Sequence, residues 1–213
     1  MNRTQKGLIV LVVVLISSIA CIFFFMTKPV ISEESLEFER AKENVLELYE
    51  KAKAQENAHK WVHSDRVEGG YEESLDEEII EFYNQKKNVI EFMIGAILLD
   101  DVDAFVESFD MQTLSEDLYS VDEVDKYEVA KEFMDAISRE GRLEGVTLIQ
   151  EKTVFGIEKE ELRAVLFYED GVEVEVLMVL KKVHTFHHQH DDVYVITTSP
   201  LEIIGEIRNN SKS

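Results

Sequence analysis

The stretch LRAVLFYEDGVEVEVLMVLKK, residues 162–182, decides how the rest of the chain is read. Apolar residues alternate with others on both sides of Asp170-Gly171. A period of two marks a half-buried strand. Asp-Gly between two such runs marks a hairpin, because glycine takes the positive φ that tight turns require. Residues 162–169 therefore read as one strand and 172–186 as its longer partner. Val172, Val174, Val176, Met178 and Leu180 share one face of that partner. Outward from this hairpin, residues 145–155 read as a preceding strand and 193–198 as a following one, which Pro200 ends. Residues 201–207 fit either a last strand or a short helix.

Upstream the period changes from two to about 3.6. Ser74-Leu75-Asp76-Glu77 has the spacing of a capping box, in which serine and glutamate each satisfy a free amide of the first turn. One long helix is expected after it, with Ile79, Phe82, Tyr83, Ile90, Met93 and Ile97 on one side. The periodicity restarts with Val102, Phe105, Val106 and Phe109, after an acidic corner of Asp100, Asp101 and Asp103. Ser120 to Glu123 repeats the capping box and predicts a helix with Tyr127, Ala130, Phe133, Met134 and Ile137 toward the core. Gly141 suits its C-terminal cap. Helices followed by an antiparallel meander predict an α+β domain, with helices on one face of the sheet, over residues 74–207. Residues 208–213 are expected to be a disordered tail.

Before that domain, Leu36, Ala41, Val45, Leu48, Tyr49 and Ala52 recur at helical steps. The apolar stripe is thin and its surroundings are charged, so residues 28–73 read as a charged stalk, solvated or packed on a partner, ending in a loop from Trp61 to Gly70. The first residues carry Arg3 and Lys6, and residues 7–26 then hold no charge. Twenty residues at the helical rise cover ~30 Å, the depth of a bilayer's hydrocarbon core. A cleaved signal would have a shorter apolar run. A lipoprotein signal at Cys21 would want an aliphatic residue where Ser18 stands. Residues 7–27 therefore read as an uncleaved transmembrane anchor, with residues 1–6 in the cytoplasm by the positive-inside rule. The remainder would lie outside a bacterial plasma membrane.

The chain carries 22 Lys and Arg against 44 Asp and Glu, a net charge of −22. This repels phosphates and anionic head groups, so nucleic acid is excluded as a partner; such a surface would attract cations or basic proteins, and the competing reading is solvation alone. With one cysteine, no intrachain disulfide forms.

The most chemical-looking stretch is HTFHHQHDD, residues 184–192. In strand alternation His184, His188 and His190 share one side and are candidate metal ligands. The competing reading is a solvated hairpin tip, which gains positive charge only below about pH 6.5. Asp100, Asp101 and Asp103 could chelate calcium, but the spacing and glycine of a calcium loop are missing, and acids at a helix start cap free amides. Trp61 is a packing anchor or, if exposed, a partner-binding residue. No nucleophile motif, phosphate-binding glycine loop or cysteine pair is present, and no cofactor is implied.

The order of elements resembles the NTF2-like, or cystatin-like, cone fold. The resemblance rests on VIEFMIGAILLDDVDAFVESF (89–109), LRAVLFYEDGVEVEVLMVLKK (162–182) and HDDVYVITT (190–198), and covers residues 75–200. Membrane-anchored domains of this type are similar to VirB8-like components of conjugative secretion systems, which implies an assembly scaffold. The expected function is a non-catalytic, single-pass extracytoplasmic scaffold or protein-interaction domain, with other membrane or envelope proteins as partners. The alternative is a module holding a small ligand or peptide in the cone. The oligomeric state is not readable from the sequence.

Overall fold

A computed structural model describes residues 30–64, 77–152, 160–184 and 192–210. The chain divides into two compact units. One comprises Met1–Ser32 with Gln150–Lys159, of which only the ends of two strands are described. The other, Glu33–Ile149 with Glu160–Ser213, is the α+β domain described below. Its order is β1 (Val30–Ser35), α1 (Phe38–Ser64), α2 (Glu77–Tyr83), α3 (Lys86–Leu99), α4 (Val102–Glu107), α5 (Met111–Ser120), α6 (Lys126–Ser138), β2 (Leu143–Lys152), β3 (Glu161–Tyr168), β4 (Glu173–His184), β5 (Asp192–Ile196) and α7 (Pro200–Asn210).

The five strands form one antiparallel sheet in sequence order. The β3–β4 hairpin closes at Gly171, whose φ of 75° only glycine adopts at little cost. Its register runs from Phe167 opposite Glu173 to Glu161 opposite Val179. Leu162, Ala164, Leu166 and Tyr168 of β3 are buried with Val174, Val176, Met178 and Leu180 of β4. Glu161, Glu173, Glu175 and Leu177 point to solvent on the other face. One packed and one wet face is the arrangement antiparallel sheets permit.

Where β5 ends, side chains continue the ladder of β4. The Thr198 hydroxyl accepts from the Val179 amide at 2.7 Å and donates to the Leu177 carbonyl at 3.2 Å. The Glu206 carboxylate accepts from the Leu177 amide at 3.3 Å, which brings α7 against this edge. On the other side of β5, the Ile196 amide donates to Ser108 O and the Asp110 amide donates to Ile196 O, at 3.1 and 2.8 Å. Such cover removes backbone groups that would otherwise template pairing with another chain.

Residues 201–207 are helical. Pro200 opens α7 rather than only ending the strand before it, because a first-turn proline gives up an amide that has no helical partner anyway. Asp117 of α5 secures this start by accepting from the Ser199 hydroxyl and, at 3.0 Å, from the Leu201 amide.

The long helix expected after residue 77 is two helices. Gln85 is extended, at φ −114° and ψ 119°, and separates α2 from α3. Asn88 Nδ2 donates to Phe82 O across the break at 3.1 Å. The bend lets Phe82 and Tyr83 meet Phe92 edge-on, with ring centroids 6.4 and 5.6 Å away. Every residue from Val89 to Ile97 of α3 is buried, so this helix has no solvent face over that span. The box at Ser74 lies outside the described residues except for Glu77.

The second box also works differently from expectation. Ser120 closes α5, a helix the periodicity left unassigned, while Asp125 opens α6 by accepting from the Tyr127 amide at 3.0 Å. An aspartate two residues from a free amide reaches it directly, so the earlier serine is not needed. Tyr127 is 53% exposed and faces outward, unlike Val129, Ala130, Phe133, Met134 and Ile137. At the far end Arg139, Glu140 and Gly141 all take positive φ, so the chain reverses through three residues rather than at the glycine alone.

The segment read as a stalk packs into the core over its first half. Val30–Ser35 is a strand, and the helix after it runs through residues 61–64, expected to be loop, to Ser64. Leu36, Ala41, Val45 and Leu48 are buried with the residues of α3. A thin stripe suffices because the facing helix offers Gly95. A Cβ there would stand 2.3 Å from the Ala41 carbonyl oxygen, so only glycine permits the approach. Among the described residues no helix is long and apolar enough to cross a membrane. Of the expected tail at residues 208–213, residues 208–210 belong to α7, while residues 211–213 and the expected anchor at residues 7–27 lie outside the described residues.

Candidate functional site: a tyrosine and carboxylate face

The structure separates the residues singled out from sequence. His184 and Asp192 are the last register pair of β4 and β5, while His188 and His190 lie outside the described residues. Among the described residues, no three His, Cys, Asp or Glu side chains stand together to hold a metal ion. Trp61 falls in the last turn of α1, and its side chain lies outside the described residues. The acidic corner serves the fold in two of its three members. Asp101 accepts from the Ala104 amide at 3.0 Å as the cap of α4, and Asp100, left-handed at φ 59°, pairs with Lys131 of α6.

Asp103 is exposed and faces differently. It lies one turn before Glu107 on α4, and like charges four apart repel on a helix. Partial desolvation of the carboxyl first, then Asp103 and Asp101, hold the otherwise exposed Glu107 above its ordinary value. Two phenols adjoin these acids. Burial pushes Tyr49 of α1 up to about 12, with Glu107, Asp101, Asp103 and Tyr127 adding to the effect. Tyr83 of α2 is raised by burial, then by Glu107 and Tyr49. Tyr49 and Tyr83 thus stay neutral within electrostatic reach of the carboxylates of α4.

The adjoining α5–α6 corner leaves apolar groups in water. Tyr119 is 76% exposed and Val124 is 90% exposed. Lys126 shows what this corner receives. Its ammonium lies 5.2 Å from the Tyr119 ring centroid and donates to Val121 O at 2.9 Å and to Glu123 O. Aromatic faces beside carboxylates and carbonyls are matched to lysine and arginine through cation–π contact and charge-assisted hydrogen bonds.

Sequence reasoning missed this face because its members come from four helices. It also missed Glu91, whose side chain is 1% exposed in the middle of α3. The signal was visible as a single acid inside VIEFMIGAILL, a run otherwise without charge. Comparison of the chain with protein-family models, with curated proteins and with solved structures finds no match.

Proposed function

We propose that the chain is a single-pass, membrane-anchored scaffold on the outer face of a bacterial plasma membrane, and that it docks basic segments of other envelope proteins on its tyrosine and carboxylate face. The observation that carries this reading is the pair of like charges exposed one turn apart on α4, Asp103 and Glu107, within electrostatic reach of Tyr49. Like-charged neighbours cost helix stability, and a cationic partner relieves that cost. The uncharged run at residues 7–26, with basic residues before it and acids after it, supports the anchor. The order of helices before an antiparallel meander supports an NTF2-like cone.

A photo-crosslinker placed at Tyr127 in membranes of the native host tests the docking face, with Glu173 on the wet face of the sheet as control. A basic partner captured at position 127, absent at 173 and lost in Glu107→Lys is the expected result. Equal capture at both positions, or none at either, rejects the face. Protease treatment of intact cells tests the topology separately, and protection of the domain would overturn it.

A further inference from the structure

Glu91 has no use in the docking face, and its surroundings point to a role of their own. Oε1 lies 3.9 Å from Arg40 Nε, too far for a hydrogen bond, and Oε2 has no partner among the described residues. Buried carboxylates are normally paired and hydrogen-bonded, because drying a charge without donors is expensive. The charged groups facing this one are Lys87 on its own helix, Arg40 on α1, Glu34 on β1 and Glu37 between them. Neither cation serves it fully. Lys87 donates to Glu34, and the Arg40 side chain is 58% exposed.

The position matters as much as the pairing. Glu91 lies one turn before Gly95, where the Ala41 backbone of α1 leaves no room for a Cβ on α3. The charged groups beyond its own helix that face Glu91, namely Glu34, Glu37 and Arg40, all belong to the segment of β1 and α1. Lifting this segment wets Glu91, and seating it dries Glu91. An uncharged residue would hold the seat shut at lower cost, so the carboxylate makes this contact conditional.

We propose that Glu91 is a protonation-controlled latch: ionised, it loosens the seat of residues 33–51 on α3, and neutral, it closes that seat. The sign follows from its neighbours. Burial, the largest influence, raises the Glu91 carboxyl above its ordinary value, as do Glu34 and Glu37, against Lys87 and Arg40, which lower it. The closed form thus binds the proton more tightly than the open form. Its extra stability is complete below the ordinary carboxyl value and is lost as pH rises through the raised one.

Amide hydrogen exchange of the full chain, corrected for intrinsic rates, tests the latch between about pH 8 and about pH 5. Protection of α1 amides over residues 41–51, relative to those of β3, is expected to rise severalfold as pH falls. In Glu91→Gln, which keeps the shape, α1 is expected to be protected at every pH with the slope removed. In Arg40→Gln the rise is expected at higher pH, because Arg40 favours the ionised form. A wild-type slope retained in Glu91→Gln, or an unmoved midpoint in Arg40→Gln, would overturn the proposal. Glu107 acts on Tyr49 at the far end of this segment, so the amides of residues 41–45 are read separately, and Glu107→Lys is expected to leave those unchanged.

Discussion

Two junctions of the domain bury polar groups against the core, and they respond to acid in opposite directions. Where α6 meets the β3–β4 hairpin, the Tyr168 hydroxyl donates to the Ile137 carbonyl at 2.8 Å. Arg139 covers the same ring at 4.9 Å and pairs with Asp170 at 2.8 Å. Burial alone would raise the Asp170 carboxyl, but the Val172 amide and Arg139 outweigh it and hold it below its ordinary value. Where α1 meets α3, Glu91 Oε2 has no such donor among the described residues, and burial holds the carboxyl above its ordinary value. The first junction thus contributes stability above the usual carboxylate range and loses it as pH falls. The second contributes below that range and loses it as pH rises. The difference lies in depth and in donors together, since Glu91 is dried inside the core while the exposed Asp170 is served by an amide and a guanidinium.

The largest way to break this contrast is at Gly95. Gly95→Leu places side-chain atoms inside the Ala41 backbone, and overpacking of this kind costs about 3 kcal/mol. Urea denaturation is expected to show that loss, and unchanged stability would mean the helices do not approach as described. Tyr168→Phe is next. It leaves the buried Ile137 carbonyl without its donor, at about 1.5 kcal/mol, with no new pH dependence between neutral and mildly acid conditions. Glu91→Gln is expected to gain about 1 kcal/mol at neutral pH by removing an unmet buried charge, with the gain shrinking as pH falls. The smallest effect is at Asp170→Asn. Stability at neutral pH is expected to fall slightly, and part of the acid-side loss of the parent to disappear. If acid scans of Glu91→Gln and Asp170→Asn diverge from the parent in the same direction, the contrast is wrong.

Much of the fold was legible where the pattern was local. Alternation around Asp170-Gly171 placed β3 and β4 within a residue or two, because the faces of a strand and the φ of a turn are set by adjacent residues. The α+β class followed from the same change of period. The α2–α3 break was not legible, since Asn84 and Gln85 carry no strong stop signal and the bend is set by aromatic packing on Phe92. Nor was the place of α1, whose sparse stripe fits a solvated stalk equally well until Gly95 is seen facing Ala41. Of the site, the acids of α4 were noticed and credited with capping, which holds for Asp101. Tyr49 was read as part of a stalk's apolar stripe, Tyr83 as one side of an amphipathic helix and Tyr127 as a core position.

By itself, then, the sequence determined the sheet's register around Gly171, the alternation of its buried and wet faces, and the strongly acidic balance of 44 acids against 22 bases. These depend on neighbours in the chain and on composition. Tertiary structure alone decided which acid stays in water and which is dried. Glu107 and Glu91 sit on consecutive apolar-patterned helices and look alike as letters. One faces phenols at an open surface and the other is closed over by α1, because burial is a property of what a distant segment covers.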